Sequence, residues 1–215
     1  LTDPYERFVR HNTALGQAAL VPGITLHLAG EVTPLWRATE DMLAEIGLPP
    51  PFWAFAWPGG QALARLLIDQ PSLVMGKTVL DFAAGCGLAG IAAAQSGAAL
   101  VTASEIDPFA VAAIRLNASL NGARLQIAHQ DVLERPAEGF EVILAADVCY
   151  ERPMAERILP WLRRAALTGT DILIADPGRA YLPREGLSAL ARYDVPASLD
   201  LENRPVMTTT VYRLT

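Results

Sequence analysis

Histidine, cysteine, excess positive charge and long apolar runs are all scarce in this 215-residue chain, and each shortage excludes something. The three histidines, His11, His27 and His129, and the two cysteines, Cys86 and Cys149, show no metal-ligand spacing. Two cysteines allow one disulfide at most, and so low a number suits a reducing compartment. No apolar run approaches the length of a bilayer span, so a soluble protein is expected. No basic stretch followed by an apolar one marks a secretory leader. With 17 Lys and Arg against 23 Asp and Glu, a formal net charge of −6, the chain lacks the charge for a sequence-independent grip on nucleic-acid phosphates. Internal repeats are absent too, while a hydrophobic content of 52% is ample for a core.

What is present is an alternation of short strands and helices. Residues 3–19 read as a helix with Tyr5, Phe8, Val9 and Leu15 near one side, followed by a strand at 24–28 and a helix over 34–46. Pro49-Pro50-Pro51 cannot be helical and sets a boundary between an N-terminal arm, residues 1–50, and the main body, residues 51–215. Beyond it, strands are predicted at 78–82, 100–104, 125–128, 141–146 and 172–175, with helices at 58–69, 88–96, 108–120 and 153–166 between them. Such alternation specifies a parallel sheet covered by helices on both faces. The tail reads as a helix at 184–191, then strands at 193–198 and 208–214 that are too close for a helical crossover and should pair antiparallel. The predicted fold is therefore α/β, a seven-stranded Rossmann-like sheet, mostly parallel with an antiparallel C-terminal strand, carrying a short helical arm.

The chemistry-bearing segment is Val79-Leu80-Asp81-Phe82-Ala83-Ala84-Gly85-Cys86-Gly87-Leu88-Ala89-Gly90, an apolar strand running through a glycine-rich turn into a small-residue helix. Gly85, Gly87 and Gly90 match G-x-G-x-x-G, and Glu105 follows Gly85 by twenty residues, which fits an adenosine-bearing cofactor. A nicotinamide dinucleotide is one reading of this pattern. Asp81, however, lies four residues before Gly85, where a carboxylate repels pyrophosphate and favours an ammonium or sulfonium. S-adenosylmethionine is therefore the preferred cofactor. Glu105 is expected to take its ribose hydroxyls and Asp131 its adenine amino group, with Ile106 and Val132 beside them; Asp107 shapes the turn before Pro108. Asp81, Glu105, Asp131, Asp147 and Asp176 all fall at predicted strand ends, where open parallel sheets bind ligands.

Further along, Asp147-Val148-Cys149-Tyr150 forms D-x-x-Y at the end of the fourth strand, and the chain here resembles the seven-β-strand protein methyltransferases that carry this motif. The block from Phe52-Trp53-Ala54-Phe55-Ala56-Trp57 to Pro58-Gly59-Gly60-Gln61-Ala62-Leu63 is part of the resemblance, as are Asp107-Pro108, Asn117, Asp176-Pro177-Gly178-Arg179 and Thr208-Thr209-Thr210-Val211. Together they are similar to the lysine methyltransferases of the electron transfer flavoprotein β-subunit, in their bacterial form. The chain departs from the family pattern at Ala83, where a glycine is usual, and at Glu105, where Asp is commoner. The resemblance implies a class I methyltransferase fold and S-adenosylmethionine-dependent methylation of lysine amines, up to trimethyl-lysine. It further implies a cytoplasmic enzyme whose protein substrate is that β-subunit or a ribosomal stalk protein, and Trp57 as a cover for the cofactor.

Methyl transfer needs a neutral amine, and neutralising a free lysine of pKa near 10.4 at pH ~7.4 costs roughly 4 kcal/mol. A nearby sulfonium lowers that cost, whereas carboxylates raise it. Asp147 is thus expected to attract and orient the lysine rather than act as a strong base, with Tyr150 walling the channel and offering its hydroxyl, and Glu151 adding negative potential at the rim. Gly85 and Gly87 hold the loop, Arg179 meets an acidic partner or solvent, and Cys149 packs. Methylation of another amine, an NAD-dependent oxidoreductase and a non-catalytic binding module are the alternatives.

Overall fold

Short runs of Val, Ile, Leu and Ala, each closed by a carboxylate or a glycine turn and followed by a helix that opens on proline, build the sheet from the sequence up. The structure is a computed structural model that describes residues 3–30 and 50–215. It opens with helix α1 (Pro4–Asn12) and a hairpin, β1 (Ala14–Ala18) and β2 (Val21–Leu28). After a short 3-10 turn at Phe52–Ala54 come α2 (Pro58–Asp69), β3 (Thr78–Phe82), α3 (Leu88–Gln95), β4 (Leu100–Glu105), α4 (Pro108–Leu120) and β5 (Gln126–His129). Then follow β6 (Val142–Ala146), α5 (Arg152–Leu167), β7 (Asp171–Asp176), β8 (Leu187–Pro196), a four-residue helix α6 (Leu199–Glu202) and β9 (Val206–Leu214).

The main sheet has seven strands in the order β5-β4-β3-β6-β7-β9-β8. Neighbouring strands from β5 through β7 pair parallel, and β9 runs antiparallel to both β7 and β8. This is the predicted fold class, down to the reversed C-terminal strand. Strand pleating divides the core in two. Val79, Val142, Leu144 and Leu173 meet Leu63, Leu66 and Leu67 of α2 on one face. Leu80, Ile143, Ile172 and Ile174 meet Ile158, Trp161 and Leu162 of α5 on the other.

Two predicted helices are overturned. The helix expected over 3–19 stops at Asn12, because residues 14–18 find backbone partners in β2, from Ala14 against Leu28 to Ala18 against Val21. The helix expected at 184–191 is the first half of β8, where a ladder against β9 from Leu187↔Leu214 to Pro196↔Val206 overrides the helix preference of an Ala- and Leu-rich stretch. The helix predicted at 34–46 lies outside the described residues. Among the described residues no helix is long and apolar enough to cross a membrane.

One buried amide ties the hairpin to the glycine-rich turn. Asn117 of α4 is fully buried. Its Oδ1 accepts from the His27 N–H at 2.7 Å and its Nδ2 donates to the Cys86 carbonyl at 2.8 Å. Asn121, one helical turn on, holds Thr25 through both its backbone groups. Asn117→Ala leaves a donor and an acceptor unpaired in the core, so chemical denaturation should register a loss of about 2–3 kcal/mol.

Candidate functional site

The carboxyl ends of the central strands open into a cavity of about 660 Å3, within the range of small-molecule sites. Eight of the ten predicted site residues line it: Trp57, Gly85, Glu105, Ile106, Asp131, Val132, Asp147 and Tyr150. Asp81 and Gly87 do not.

The reason for Asp81 is parity. It stands next to Phe82, whose side chain packs on the α5 side of the sheet with Trp161, so the pleat turns the Asp81 carboxyl to the opposite face, beneath α3. There Oδ2 accepts from the Gly90 N–H at 2.7 Å, and a Cβ on Gly90 would meet that oxygen at 2.8 Å. Burial pushes the Asp81 carboxyl up to about 8, so near neutrality it is largely protonated. Asp81 thus braces the turn from below, and the glycine opposite it was the signal in the sequence. Gly87, left-handed at φ 78°, is the N-cap of α3 and packs against Ile114.

Above that brace the turn reaches the cavity. Ala83 lines it in the left-handed region, at φ 49°, where a glycine carries no steric cost. The Gly85 N–H donates to Glu105 Oε1 at 2.8 Å, and the Ile106 N–H donates to Oε2 at 3.1 Å. Glu105 therefore spans from the end of β4 to the turn, and burial raises its pKa. Asp107 caps α4 through the Phe109 N–H, as the sequence suggested. Asp131 is held on both oxygens, by the Leu133 N–H at 3.0 Å and by Arg157 at 2.6 Å, and this pairing lowers its pKa.

At the other end of the cavity stands Asp147, just past β6, in the left-handed region at φ 55°. The first turn of α2 presses on it: the Gly60 N–H donates to Oδ2 at 3.1 Å, and a Cβ on Gly59 would lie 2.5 Å from that oxygen. The Pro58-Gly59-Gly60 motif is thereby explained, since proline opens the helix and Gly59 leaves room for the carboxylate. Asp147 Oδ1 is buried without a hydrogen bond, and Arg179 Nη2 stands 3.7 Å away. Burial is the largest cause that pushes Asp147 up to about 7, against the pull of Arg179. Tyr150 sets its ring 5.6 Å from that of Phe52, and the Trp57 indole N–H donates to the Phe52 carbonyl at 2.8 Å.

Sequence reasoning missed Glu202. It lies on α6 and lines the same cavity, where its carboxylate accepts from Arg179 Nη2 at 2.7 Å. Nothing near it in sequence signals a site; only the return of the chain between β8 and β9 places it there. Arg179 accordingly turns inward to Glu202 and Asp147 instead of meeting solvent or a partner. Asp176 accepts from the Gly178 and Arg179 N–H groups and shapes the expected turn. Cys86 and Cys149 are buried free thiols, each pushed up to about 12 by burial, which suits packing. Among the described residues no group of three or more His, Cys, Asp or Glu side chains is arranged to hold a metal ion.

Two outcomes follow from the turn. Ala83→Gly removes a left-handed alanine at a cost in chain entropy, for a net stabilisation of up to about 1 kcal/mol by urea melting. The folded-state pKa of Asp81 lies above its unfolded value near 3.8, so the native state binds the extra proton and stability falls as pH rises from about 4 to about 8. Asp81→Asn removes that slope, at most about 1.4 kcal/mol per pH unit. Its melting temperature relative to wild type should therefore climb steadily from pH 5 to pH 8.

The sequence matches the ribosomal protein L11 methyltransferase (PrmA) family over residues 63–157. In shape it is similar to the magnesium protoporphyrin IX methyltransferase of Synechocystis PCC 6803 (TM-score 0.53, 19% identity, covering 73% of this chain and 78% of that one). It is likewise similar to a putative RNA methyltransferase of Pyrococcus horikoshii (TM-score 0.57, 18% identity, covering 77% and 87%). In sequence it is 36% identical to the electron transfer flavoprotein beta subunit lysine methyltransferase of Danio rerio, over 98% of this chain and 83% of that protein. The Homo sapiens protein of the same name is 35% identical over 95% and 80%. At this identity over nearly its whole length, the chain belongs to the electron transfer flavoprotein beta subunit lysine methyltransferase family.

Proposed function

We propose that this chain is a cytoplasmic S-adenosylmethionine-dependent protein-lysine N-methyltransferase whose acceptor is the β-subunit of electron transfer flavoprotein. The observation that carries the reading is the two-ended cavity. Glu105 and the Gly85 turn bound one end, and at the other Asp147 keeps a buried oxygen without a hydrogen bond. The residues present suit the cofactor. Glu105 and Asp131 offer acceptors for hydroxyl and amino groups, Ile106 and Val132 offer apolar edges, and Trp57 closes the side. When bound, S-adenosylmethionine supplies the methyl group as an electrophile on a positively charged sulfur.

The chain's own residues handle the amine. The Asp147 carboxylate draws in an ammonium group, and Oδ1 accepts one of its N–H bonds. A pKa of about 7 lets the same oxygen hold a proton as the amine becomes neutral. Phe52, Trp57 and Tyr150 line the cavity near Asp147 and shield the amine from water. Alignment then supplies much of the remaining acceleration. The net charge of −6 favours a protein acceptor over a nucleic acid. Residues 1–50 act as an arm on the catalytic body of residues 51–215.

Purified electron transfer flavoprotein incubated with the chain and labelled cofactor should gain label on lysine. Calorimetry should find binding of S-adenosylhomocysteine and none of NAD. Asp147→Ala should bind S-adenosylhomocysteine within a few-fold of wild type and lose roughly a hundredfold or more in methyl transfer. Because Asp147 must be ionised, kcat/KM for the acceptor should rise with pH through about 7. Full activity in Asp147→Ala, or NAD bound in place of the sulfur cofactor, would reject the reading.

A further inference from the structure

Three carboxylates and one guanidinium cluster together: Asp147, Arg179 and Glu202 line the cavity, and buried Asp176 acts on Asp147 and Arg179 without lining it. Asp147 comes from the turn after β6, Asp176 from the end of β7, Arg179 from the turn that follows, and Glu202 from α6. They do not share the positive charge evenly. Arg179 sets Nη2 2.7 Å from Glu202 Oε1 and Nη1 3.5 Å from Oε2, while Nη2 stands off from Asp147 Oδ1 by 3.7 Å. Arg179 is held by Glu202, whose side chain is only 7% exposed, and α6 is clamped by the Ala197 N–H to the Pro205 carbonyl at 2.9 Å. The buried polar atoms left without a hydrogen bond are Asp147 Oδ1, Asp176 Oδ2 and Arg179 Nε. Three acids against one cation leave the cluster short of positive charge, and the spare Arg179 Nε donor does not reach either free oxygen.

We infer that Arg179 and Glu202 are positioning residues: Glu202 holds the guanidinium back from Asp147, so that the acceptor's ammonium group, and not Arg179, occupies Asp147 Oδ1. The inference rests on the lysine-acceptor reading above. An arginine suits the part, because it stays charged at every working pH and locks onto one carboxylate in a fork. Closing the gap to Asp147 by about 1 Å would complete a direct ion pair of the usual length. The seat for the ammonium would then be filled by the enzyme itself. Glu202 thereby sets how readily an amine enters, although it need not touch one.

Glu202→Gln releases Arg179 toward Asp147. In the full chain, KM for the electron transfer flavoprotein β-subunit should rise by about fivefold or more, with a smaller change in kcat. Affinity for S-adenosylhomocysteine should stay within about twofold. Arg179→Met with Glu202→Gln removes the blocking cation and should bring KM back toward wild type. The Asp147 carboxyl resonance of 13C-aspartate-labelled protein supplies a readout that a merely structural role would not move. The groups facing Asp147 are the Gly60 N–H, Arg179, Asp176 and Glu202. The titration midpoint should fall in Glu202→Gln, through loss of the Glu202 charge and further as Arg179 closes in, fall less in the double variant, and rise in Arg179→Met. The inference is overturned by a wild-type chain that methylates its acceptor while Glu202→Gln leaves KM and the Asp147 midpoint unchanged. It is equally overturned if the double variant adds to the defect instead of cancelling it. A wild-type chain that methylates no protein amine overturns the acceptor reading, and this inference with it.

Discussion

Carboxylates buried at the ends of parallel strands, with too few cations among them, are the constraint around which this structure is organised. Asp81, Glu105, Asp147 and Asp176 are each shifted toward the protonated form chiefly by burial. An unpaired buried charge is costly, and the chain answers in three ways. Backbone N–H groups of turns and helix starts approach Asp81, Glu105, Asp147 and Asp176. Asp81 takes up a proton. Arg179 supplies a positive charge, mostly to Glu202. What remains without a hydrogen bond is Asp147 Oδ1, Asp176 Oδ2 and Arg179 Nε, of which only Asp147 and Arg179 belong to residues that line the cavity.

The same carboxylates dictate where side chains are forbidden. α2 can start against Asp147 only because Gly59 has no Cβ, and α3 can lie over Asp81 only because Gly90 has none. Asp147 itself sits in the left-handed region, a conformation that costs about 1–2 kcal/mol for a residue with a Cβ. The Gly60 N–H on its carboxylate and its own N–H on the Ala175 carbonyl hold it there.

Much of the fold was legible in the sequence. α2, β3 and α4 begin and end at the predicted residues, since Pro58 and Pro108 mark helix starts and β3 is a clean apolar run before a glycine turn. The reversed last strand was legible as well, from the short connection before it. The two misassigned helices share one cause. Residues 14–18 and 187–191 have partners far away in the chain or across a turn, and strand pairing outweighs local helix preference. At the site, the strand-end rule brought eight of ten residues to the cavity, but it is blind to which face of the sheet a strand-end side chain takes. Asp81 missed for that reason.

By itself, then, the amino-acid sequence determined the layered α/β architecture, the glycine turn, the acidic strand ends and the family. Those are properties of periodicity, of φ permissiveness and of residue type, all of which are local. Only the tertiary structure decided which carboxylates face the cavity, which of them Arg179 serves, and that Glu202 belongs to the site at all. Charge pairing depends on distances of a few ångströms between segments that are remote in the chain, and Glu202 lies 55 residues beyond Asp147. The 2.7 Å contact to Glu202 and the 3.7 Å gap to Asp147 exist because the return from β8 to β9 brings Glu202 to the cavity wall.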